Sequence, residues 1–400
     1  MTLPDIADPG LWGDLAGGQA WPGTGPAKIS DRASHGQHAA LDLPKQQAIT
    51  ESGPALAAGQ RFADELTVII PAYNEAESLA DTVKSLVNQT CPPARVIVVD
   101  DCSTDGTGLL AAGLGVEVLR PPANTGSKAG AQTFALRSVA TRYVMAIDAD
   151  TILAPTAIGE LSVAFVDPNV AAACGLVLPR YVGTVWERGR YVEYLYSFTF
   201  HKQVQDAYGR PLIASGCFSA YRTAVLCALG GWSSRTLAED MDLTWSLYER
   251  NWRVRFIPSA LCYPIEPHTW EFLAKQLRRW SHGFVQNIHL HWRGLLGMPY
   301  LRSTVAIAGF DAAFAPIATL FLLPLLAIFV NAWFALGLVV DFPVVAVPVL
   351  IGAWHRAETG RAITSLPCYF ALRLANCWFM FRAVTDELRG RRFAIYEKGH

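Results

Sequence analysis

Four short runs of β-branched and other apolar residues alternate with helix-like segments in the first half of the chain. The runs are "LTVIIPAYN", "ARVIVVDD", "VEVLR" and "YVMAIDAD". Strands that are separated by segments long enough for a crossover helix pair in parallel, and helices then cover both faces of the sheet. The sequence therefore predicts a doubly wound α/β sheet that begins near Leu66.

Charge and cysteine usage restrict the class of partner and the redox setting. The chain of 400 residues has 33 basic and 34 acidic side chains, so bulk charge attracts no nucleic acid, and we expect no nucleic-acid partner. The eight cysteines include no C-x-x-C pair, which disfavours both a zinc site and a disulfide framework. A reducing, cytosolic setting is the expectation.

The chain divides into three segments by composition. Residues 1–64 are rich in Gly, Pro, Ala and small polar residues without sustained periodicity, which predicts a mostly disordered tail. They lack the basic and apolar stretches of a signal peptide, so we expect the N-terminus to stay in the cytosol. Residues 65–300 are expected to form the α/β domain, and residues 301–400 an α-helical membrane region.

A long apolar tract near the C-terminus has only two charged residues, Asp311 and Asp341. A tract of this kind can hold two membrane helices of about 20 to 25 residues each. We predict these helices at about 305–330 and 332–354. Asn331 or Asp341 would mark the turn between them.

A third apolar segment, at about 364–384, contains Arg373, Asn376 and Arg382. It either lies in the membrane interface or faces protein or water inside the membrane, and the sequence leaves both alternatives open. Basic residues follow the second span and also lie near the end of the chain, and they favour placement of both of these segments on the cytosolic side. The chain is thus predicted to be a multi-pass protein of the cell (inner) membrane with a cytoplasmic α/β domain.

Carboxylates follow two of the predicted strands. One strand runs into Asp100 and Asp101, and another into Asp148 and Asp150. Ligands of open α/β sheets bind beyond the carboxyl ends of the strands. Two carboxylates one residue apart can hold a hard divalent cation, although a lone D-x-D equally often ends a strand or caps a helix. Two strands of one sheet that both end in a pair of carboxylates favour a ligand site.

Other motifs allow a binding and a structural interpretation. The first strand ends in "PAYNEAES" without the pattern G-x-G-x-x-G, which disfavours a dinucleotide site. Small residues around Lys128 in "NTGSKAGAQ" suit an anionic ligand, but they also suit an ordinary helix start. Glu239, Asp240 and Asp242 open a predicted helix, where the helix dipole alone favours carboxylates.

The stretch "KQLRRWSHGF" is part of a predicted helix at 270–287. Gln276, Arg279 and Trp280 have the spacing of one helix side, whereas Arg278 points away. The helix also has a basic flank opposite an apolar side, as a helix at a membrane surface would. Periodicity alone favours the membrane-surface interpretation.

The motifs of the chain resemble those of the family 2 glycosyltransferases of the GT-A fold. In order they are "PAYNE", "VVDDCSTDG", "NTGSKAGAQ", "DAD", "SGCFSAYR", "AEDMD" and "QLRRW". The Q-x-x-R-W form of the last motif is similar to that of the membrane-integrated β-glycan synthases, such as the cellulose, chitin, hyaluronan and poly-N-acetylglucosamine enzymes. The resemblance implies a GT-A nucleotide-sugar-binding domain and an inverting, metal-dependent transfer from a UDP-sugar to an acceptor hydroxyl.

The resemblance also implies roles for the matching residues. The implied donor-binding residues are Tyr73, Glu75, Asp101, Lys128, Asp148, Asp150 and Arg279. The implied ligands of Mg²⁺ or Mn²⁺ are Asp150 and Asp148. Asp240 would be the general base, with Glu239 supporting it. The implied acceptor-binding residues are Ser215, Gly216, Cys217, Phe218, Gln276 and Trp280.

The chain departs from this family pattern in its membrane segments. Many relatives have membrane helices before the catalytic domain, whereas small and polar residues precede it here, and two clear spans are few for a polymer channel. A homo-oligomer or an accessory subunit could supply further membrane spans. β-Glycan synthesis at the bilayer is the leading hypothesis. The alternatives are transfer of one or a few sugars to a lipid or protein acceptor and, from another class, a non-catalytic nucleotide-sugar-binding membrane protein.

Overall fold

The computed structural model describes residues 53–391, with the side chains of 53–54 and 338–340 left aside. Most of the predicted disordered tail, residues 1–52, and the C-terminal residues 392–400 lie outside the described residues. The predicted GT-A domain and the helical region that follows it are both within the described part.

In the described part of the chain, eight strands form one mixed sheet. Their bounds are β1 Leu66–Ala72, β2 Arg95–Asp100, β3 Glu117–Leu119, β4 Tyr143–Ile147, β5 Ile152–Leu153, β6 Val170–Val177, β7 Phe218–Arg222 and β8 Arg253–Tyr263. The strand order is β3-β2-β1-β4-β7-β6-β8-β5. The first four strands pair in parallel, and β7 runs antiparallel to both of its neighbours.

Helices flank the sheet and form the C-terminal region. Those up to the end of the α/β domain are α1 Gly53–Asp64, α2 Leu79–Val87, α3 Thr107–Gly113, α4 Lys128–Leu136, α5 Ala157–Leu161, α6 Val185–Tyr196, α7 Lys202–Ala207, α8 Thr223–Ala228, α9 Glu239–Glu249 and α10 Trp270–Gly297. Those that follow are α11 Pro299–Ala313, α12 Ala315–Ile317, α13 Leu323–Phe329, α14 Ala335–Trp354 and α15 Thr359–Leu388. Short 3₁₀ segments are Ser162–Val166 and Ala332–Phe334, and π segments are Ser197–His201 and Ala318–Leu322.

The central strands are apolar along their whole length because both faces of the sheet are covered. All residues of β4 and β6 are buried, as expected where helices pack on both sides. The predicted α/β fold is confirmed. The sequence did not reveal that β7 is antiparallel, and this direction matters because Phe218 of β7 pairs with Ile147 of β4. The segment before β7 therefore lies at the carboxyl end of β4.

Helix α1 places the start of the folded region before the predicted boundary at residue 65. Phe62 is buried, and its ring lies 4.7 Å from that of Tyr143 and 5.3 Å from that of Phe165, measured between centroids. This aromatic cluster joins α1 to β4 and to the 3₁₀ segment after α5. The end of the predicted tail is therefore part of the core.

Two stretches of the C-terminal region are long and apolar enough to cross a membrane, as judged by length and composition. They are Pro299–Phe329 and Ala332–Trp354. Of the most apolar 18 residues in each stretch, only 17% and 20% are buried by the rest of the protein. The turn between them lies at Asn331, whose side chain accepts a hydrogen bond from the backbone N–H of Trp333. The alternative turn residue, Asp341, lies inside α14.

Two of the three polar residues singled out in the third apolar segment, Arg373 and Asn376, face protein, whereas Arg382 is exposed. Arg373 of α15 is buried and forms ion pairs with Asp311 at 3.1 Å and Asp341 at 3.0 Å. The Asn376 amide donates to a carboxylate oxygen of Glu193 in α6 at 2.8 Å. Pairing of this kind lowers the cost of burying the arginine charge. Helix α15 is thus held against α6, α11 and α14 by polar contacts.

The apolar side of α10 is covered by α15, in contrast to the membrane-surface interpretation of the sequence. Leu273 and Leu277 are buried against Leu372, Ala375 and Phe379 of α15. The hydrophobic stripe of α10 therefore packs on another helix, because that helix has an apolar side of its own.

Replacement of Phe62 by alanine tests whether α1 belongs to the folded domain. We expect the free energy of unfolding to fall by about 3 to 5 kcal/mol, because a buried ring is lost and a cavity remains. Chemical denaturation of the purified protein measures this. The control Leu56→Ala, on the exposed side of the same helix, should change it by about 0.5 kcal/mol or less. Equal effects of both changes would contradict the early boundary.

Candidate active site

A cavity of about 1010 Å³ lies at the carboxyl ends of β1 and β4, with α10 and the C-terminal helices along its walls. Nearly all of the predicted site residues line it. These are Tyr73, Glu75, Asp101, Lys128, Asp148, Asp150, Ser215, Gly216, Cys217, Glu239, Asp240, Gln276, Arg279 and Trp280. The structure therefore brings motifs from distant parts of the sequence into one site.

Phe218 is the exception among the predicted acceptor-binding residues. It does not line the cavity, and its side chain is fully buried in β7. Its ring packs against Gly175 of β6 so closely that a Cβ at that glycine would lie 2.2 Å from a ring carbon. The prediction for Phe218 is wrong because the side chain points into the sheet core, whereas the preceding residues turn toward the cavity.

The ammonium of Lys128 joins three motifs. Helix α4 begins at this residue, and Ser127 caps the helix. The Lys128 Nζ forms an ion pair with Asp148 after β4, donates to the carbonyl of Gly216 at 3.0 Å and lies 3.9 Å from Glu239. The Lys128 ammonium thus holds three elements together, namely the end of β4, the segment before β7 and the start of α9.

Asp148 and Asp150 have the properties of a cation site. Burial raises the pKa of Asp148, and the nearby Asp150 raises it further, while Lys128 and Arg279 act in the opposite direction. Repulsion between two such carboxylates is relieved by a divalent cation. Mg²⁺ commonly takes only one or two carboxylates from the protein and further oxygens from substrate phosphates. Within residues 53–391, no three His, Cys, Asp or Glu side chains form a metal-binding group.

Asp240 faces the segment before β7. One of its carboxylate oxygens accepts from the backbone N–H of Gly216 at 2.8 Å, and the other accepts from the N–H of Met241 at 2.9 Å. Glu239 is buried beside it, and burial together with the Asp240 charge raises the pKa of Glu239. Asp240 is therefore oriented by two backbone donors within the cavity.

The loop that leads to Lys128 is fixed by Asp101. The two carboxylate oxygens of Asp101 accept from the backbone N–H of Thr125 at 2.8 Å and from its hydroxyl at 2.9 Å. Glu75 is buried and accepts from the Ser78 hydroxyl at 2.7 Å, whereas the Tyr73 side chain is exposed at the cavity rim. Asp101 and Glu75 therefore shape the wall of the cavity at the ends of β1 and β2.

Helix α10 holds the chain segment that precedes Asp240. The buried Asn287 amide donates to Thr236 Oγ1 at 3.2 Å and to the Ala238 carbonyl at 3.1 Å. Gly283 lies so near Ala238 that an added Cβ would be 2.7 Å from the Ala238 backbone nitrogen. Gly283 and Asn287 therefore both lie against this segment.

Asp242 and the two arginines of α10 have different surroundings. Asp242 does not line the cavity and is buried between Arg235, at 2.6 Å, and His291, at 2.8 Å. Its carboxylate ties α9 to α10. Arg279 lines the cavity and lowers the pKa of Asp148 and Glu239 through its charge, whereas Arg278 is absent from the lining.

Arg190 of α6 is a cavity residue that the sequence did not indicate. Its guanidinium is buried, donates to the Gln276 side-chain carbonyl at 2.7 Å and lies 4.4 Å from the centroid of the Trp280 indole. It also forms ion pairs with Glu193 and with Glu266, the latter at 3.7 Å. The sequence offered only the i, i+3 spacing of Arg190 and Glu193, which is typical of any solvated helix.

Replacement of Arg190 by methionine tests its hold on α10. We expect faster amide hydrogen exchange in the first four turns of α10 and a free energy of unfolding lower by about 3 to 5 kcal/mol, because buried carboxylates lose their counter-ion. Arg188→Met, on the same helix but outside the cavity lining, is the control and should leave exchange in α10 unchanged. Unaltered exchange in the Arg190 variant would show that α10 is held by other contacts.

Comparison with known proteins identifies the family. Residues 63–283, more than half of the chain, match the glycosyltransferase-like family 2. The poly-β-1,6-N-acetyl-D-glucosamine synthase of Staphylococcus aureus (strain COL) is 26% identical over 222 residues, and that of Staphylococcus epidermidis is 26% identical over 223 residues. Each match covers 54% of this chain and 54% of the relative. The chain thus spans about half the length of these relatives.

The solved structures support the fold. A mannosyltransferase from Pyrobaculum calidifontis, solved in complex with GDP-Man and Mn²⁺, superposes with a TM-score of 0.54 over 82% of this chain and 88% of that one, at 19% sequence identity. The predicted GT-A fold and the predicted family are both confirmed. The chain belongs to the glycosyltransferase-like family 2.

Proposed function

We propose that the chain transfers a sugar from a UDP-sugar to an acceptor hydroxyl, with inversion at the transferred carbon. The observation that carries this proposal is the Lys128 ammonium, which brings Asp148, Glu239 and the Gly216 carbonyl together in one cavity. A reaction of this kind needs cationic groups near the leaving diphosphate and a base near the acceptor. Lys128 and Arg279 would be the cationic groups and Asp240 the base, and all three line the cavity.

The donor side would bind the nucleotide-sugar and a divalent cation. Asp150 and Asp148 would hold Mg²⁺ or Mn²⁺, and Asp150 would provide the larger share because Lys128 already pairs with Asp148. When bound, the ion would stabilise the negative charge of the departing diphosphate. Arg279 adds a positive charge on the same side. The mannosyltransferase from Pyrobaculum calidifontis was solved in complex with Mn²⁺, which agrees with this assignment.

Asp240 is the proposed general base. The two backbone N–H groups that donate to its carboxylate hold it in place beside the segment that precedes β7. Glu239 supports it by holding the Lys128 charge nearby. A single displacement at the anomeric carbon then needs no acid to protonate the leaving oxygen, because the diphosphate leaves as an anion.

The acceptor side would be formed by the segment before β7 and by α10. Ser215, Gly216 and Cys217 line the cavity, and Gln276 and Trp280 lie opposite, held by Arg190. The named activity of the staphylococcal relatives makes N-acetylglucosamine a reasonable donor sugar and a β-linked glycan a reasonable product. The alternative is the transfer of one or a few sugars to a lipid or protein acceptor.

We place the enzyme at a membrane, with the α/β domain on the cytoplasmic side. The two candidate spans display large apolar side chains to their surroundings, among them Phe310, Phe321 and Ile328. Contiguous exposed apolar surface of this kind marks a membrane or protein interface. The length of both helices suits a bilayer.

Replacement of Asp240 by asparagine tests the assignment of the base. We expect the rate of sugar transfer at saturating donor to fall by about 10² to 10⁴-fold, because proton removal from the acceptor is lost. Release of UDP and incorporation of sugar measure the rate. Asp64→Asn, an exposed carboxylate of α1, is the matched control and should retain the wild-type rate.

Binding of UDP separates a lost base from a lost site. The Asp240 variant should bind UDP in the presence of Mg²⁺ or Mn²⁺ as the wild type does, since the donor groups are unchanged. Full activity in this variant would remove Asp240 as the base. Metal-dependent UDP binding by the wild type without turnover of any UDP-sugar would instead support the non-catalytic alternative.

A further inference from the structure

Two lysines bind oxygen atoms of consecutive residues in the segment before β7. The ammonium of Lys202, at the start of α7, donates to the Ser215 hydroxyl oxygen at 2.8 Å. The ammonium of Lys128 donates to the Gly216 carbonyl at 3.0 Å. Only 6% of Lys202 and 12% of the Lys128 side chain are exposed, so water competes little for either bond. Two oxygen atoms on the proposed acceptor side are thus each held by a positive charge.

Helix α10 shows the same arrangement. The buried guanidinium of Arg190 donates to the side-chain carbonyl of Gln276 at 2.7 Å. A guanidinium has donors and no acceptor, so the Gln276 amide cannot turn around without setting its own NH₂ group against them. The NH₂ group is therefore the part of the amide left for a ligand. The indole of Trp280, which also lines the cavity, has a donor and no acceptor.

The cations fix the direction in which these side chains can form hydrogen bonds. An ammonium cannot accept a hydrogen bond, so the Ser215 hydroxyl accepts from Lys202 and keeps its own proton for another partner. A ligand hydroxyl that pointed its proton at the same oxygen would also approach a positive charge. The acceptor side thus offers mainly hydrogen-bond donors, which bind the lone pairs of ligand oxygens.

Asp240 differs from these groups because it can accept a proton. Its carboxylate accepts from the backbone N–H groups of Gly216 and Met241, which occupy two of about four lone-pair positions. Gly216 directly follows Ser215, so the carboxylate lies next to the donor groups of this segment. A ligand hydroxyl at Asp240 can give away its proton, whereas a hydroxyl at Ser215 or Gln276 meets a donor.

Two other carboxylates of the cavity are already bound. Glu193 accepts from Arg190 through one oxygen and from the Asn376 amide, at 2.8 Å, through the other. Glu266 accepts from the Tyr194 hydroxyl at 2.6 Å, and its other oxygen is buried at 3.7 Å from Arg190. Neither carboxylate is as free as the proposed base to accept from a ligand.

We propose that this polarity selects the hydroxyl that receives the sugar. An acceptor sugar turns the oxygen atoms of its non-reacting hydroxyls toward the donor groups of Ser215 and Gln276, and the hydroxyl that must lose its proton lies at Asp240. Lys202 and Arg190 are positioning residues, because each fixes the direction of a side chain that touches the acceptor. The inference rests on the proposed function, since it takes these side chains as the acceptor side and Asp240 as the base.

Two sets of sugar analogues test this polarity without turnover. A C–F group accepts a hydrogen bond weakly and donates none, whereas an ammonium group only donates. The probes are methyl N-acetyl-β-D-glucosaminide, chosen from the named activity of the staphylococcal relatives, and its analogues with fluorine or an ammonium group in place of one hydroxyl. Their affinity is measured by competition NMR with the purified chain in neutral detergent, saturated with UDP and Mg²⁺.

We expect opposite preferences at the reacting and the non-reacting hydroxyls. At the hydroxyl bound to Asp240, fluorine should weaken binding by about 10 to 100-fold, and the ammonium group should not weaken it. At a hydroxyl bound to Ser215 or Gln276, the ammonium group should weaken binding by about 10 to 100-fold and fluorine by about 5-fold or less. Equal losses for both substitutions at every position would overturn the proposal.

Two variants should restore the binding of excluded ammonium analogues. Lys202→Met lets the Ser215 hydroxyl turn and accept a hydrogen bond. Gln276→Glu replaces the NH₂ group by a carboxylate oxygen, and Arg190 can still bind the other oxygen. Each variant is expected to strengthen the binding of one excluded analogue by about 10-fold, which damage to the fold would not do. Lys84→Met, an exposed lysine outside the cavity, is the control.

Unchanged exclusion of the ammonium analogues in both variants would contradict the proposed role of the cations. Gln276→Glu keeps the test decisive if Lys202→Met does not fold. Failure of the wild type to bind the parent glycoside would remove this wall as a surface for an acceptor sugar. No titration requires turnover, so binding in the expected pattern without release of UDP would contradict the proposed transfer and not the polarity.

Discussion

The ammonium of Lys128 is the group on which the arrangement of the site depends. It neutralises Asp148, lies near Glu239 and binds the carbonyl of Gly216, so that one charge connects three separate segments. Without it, Asp148 and Glu239 would keep only the more distant charge of Arg279 as compensation. Carboxylates without a close cation are costly in a largely buried site. The capped start of α4 supports this position, because Ser127 fixes the first turn from which the lysine extends.

The site is completed by contacts between elements that are far apart in sequence. The antiparallel direction of β7 brings Gly216 to the end of β4. Helix α10 is held at Gln276 by Arg190 and about three turns later through the bond of Asn287 to the Ala238 carbonyl. Helix α15 covers the apolar side of α10. The C-terminal helices are therefore part of the structural support of the active site as well as candidates for membrane attachment.

The sequence predicted the α/β fold, and nearly all of the predicted site residues line the cavity, because buried parallel strands and the carboxylates at their ends leave a local signal. It did not reveal Arg190, whose partners are Gln276 and Trp280 on another helix, since pairing between helices leaves no periodic trace. It placed Phe218 in the site because the motif around it lies there, whereas strand alternation turns this side chain inward. A helix at a membrane surface and a helix packed on another helix both have one apolar and one polar side. The sequence therefore could not reveal that α15 packs on the apolar side of α10.

The central claim is that this cavity transfers sugar from a UDP-sugar with the help of a divalent cation. The most direct measurement incubates the purified chain in detergent with a panel of UDP-sugars and Mg²⁺ or Mn²⁺, with a lipid extract as acceptor source, and follows both UDP release and product mass. The account predicts that at least one UDP-sugar yields UDP and a product heavier by one or more sugar units, and that chelation of the metal stops both. Absence of UDP release with every donor, or full activity after chelation, would contradict it.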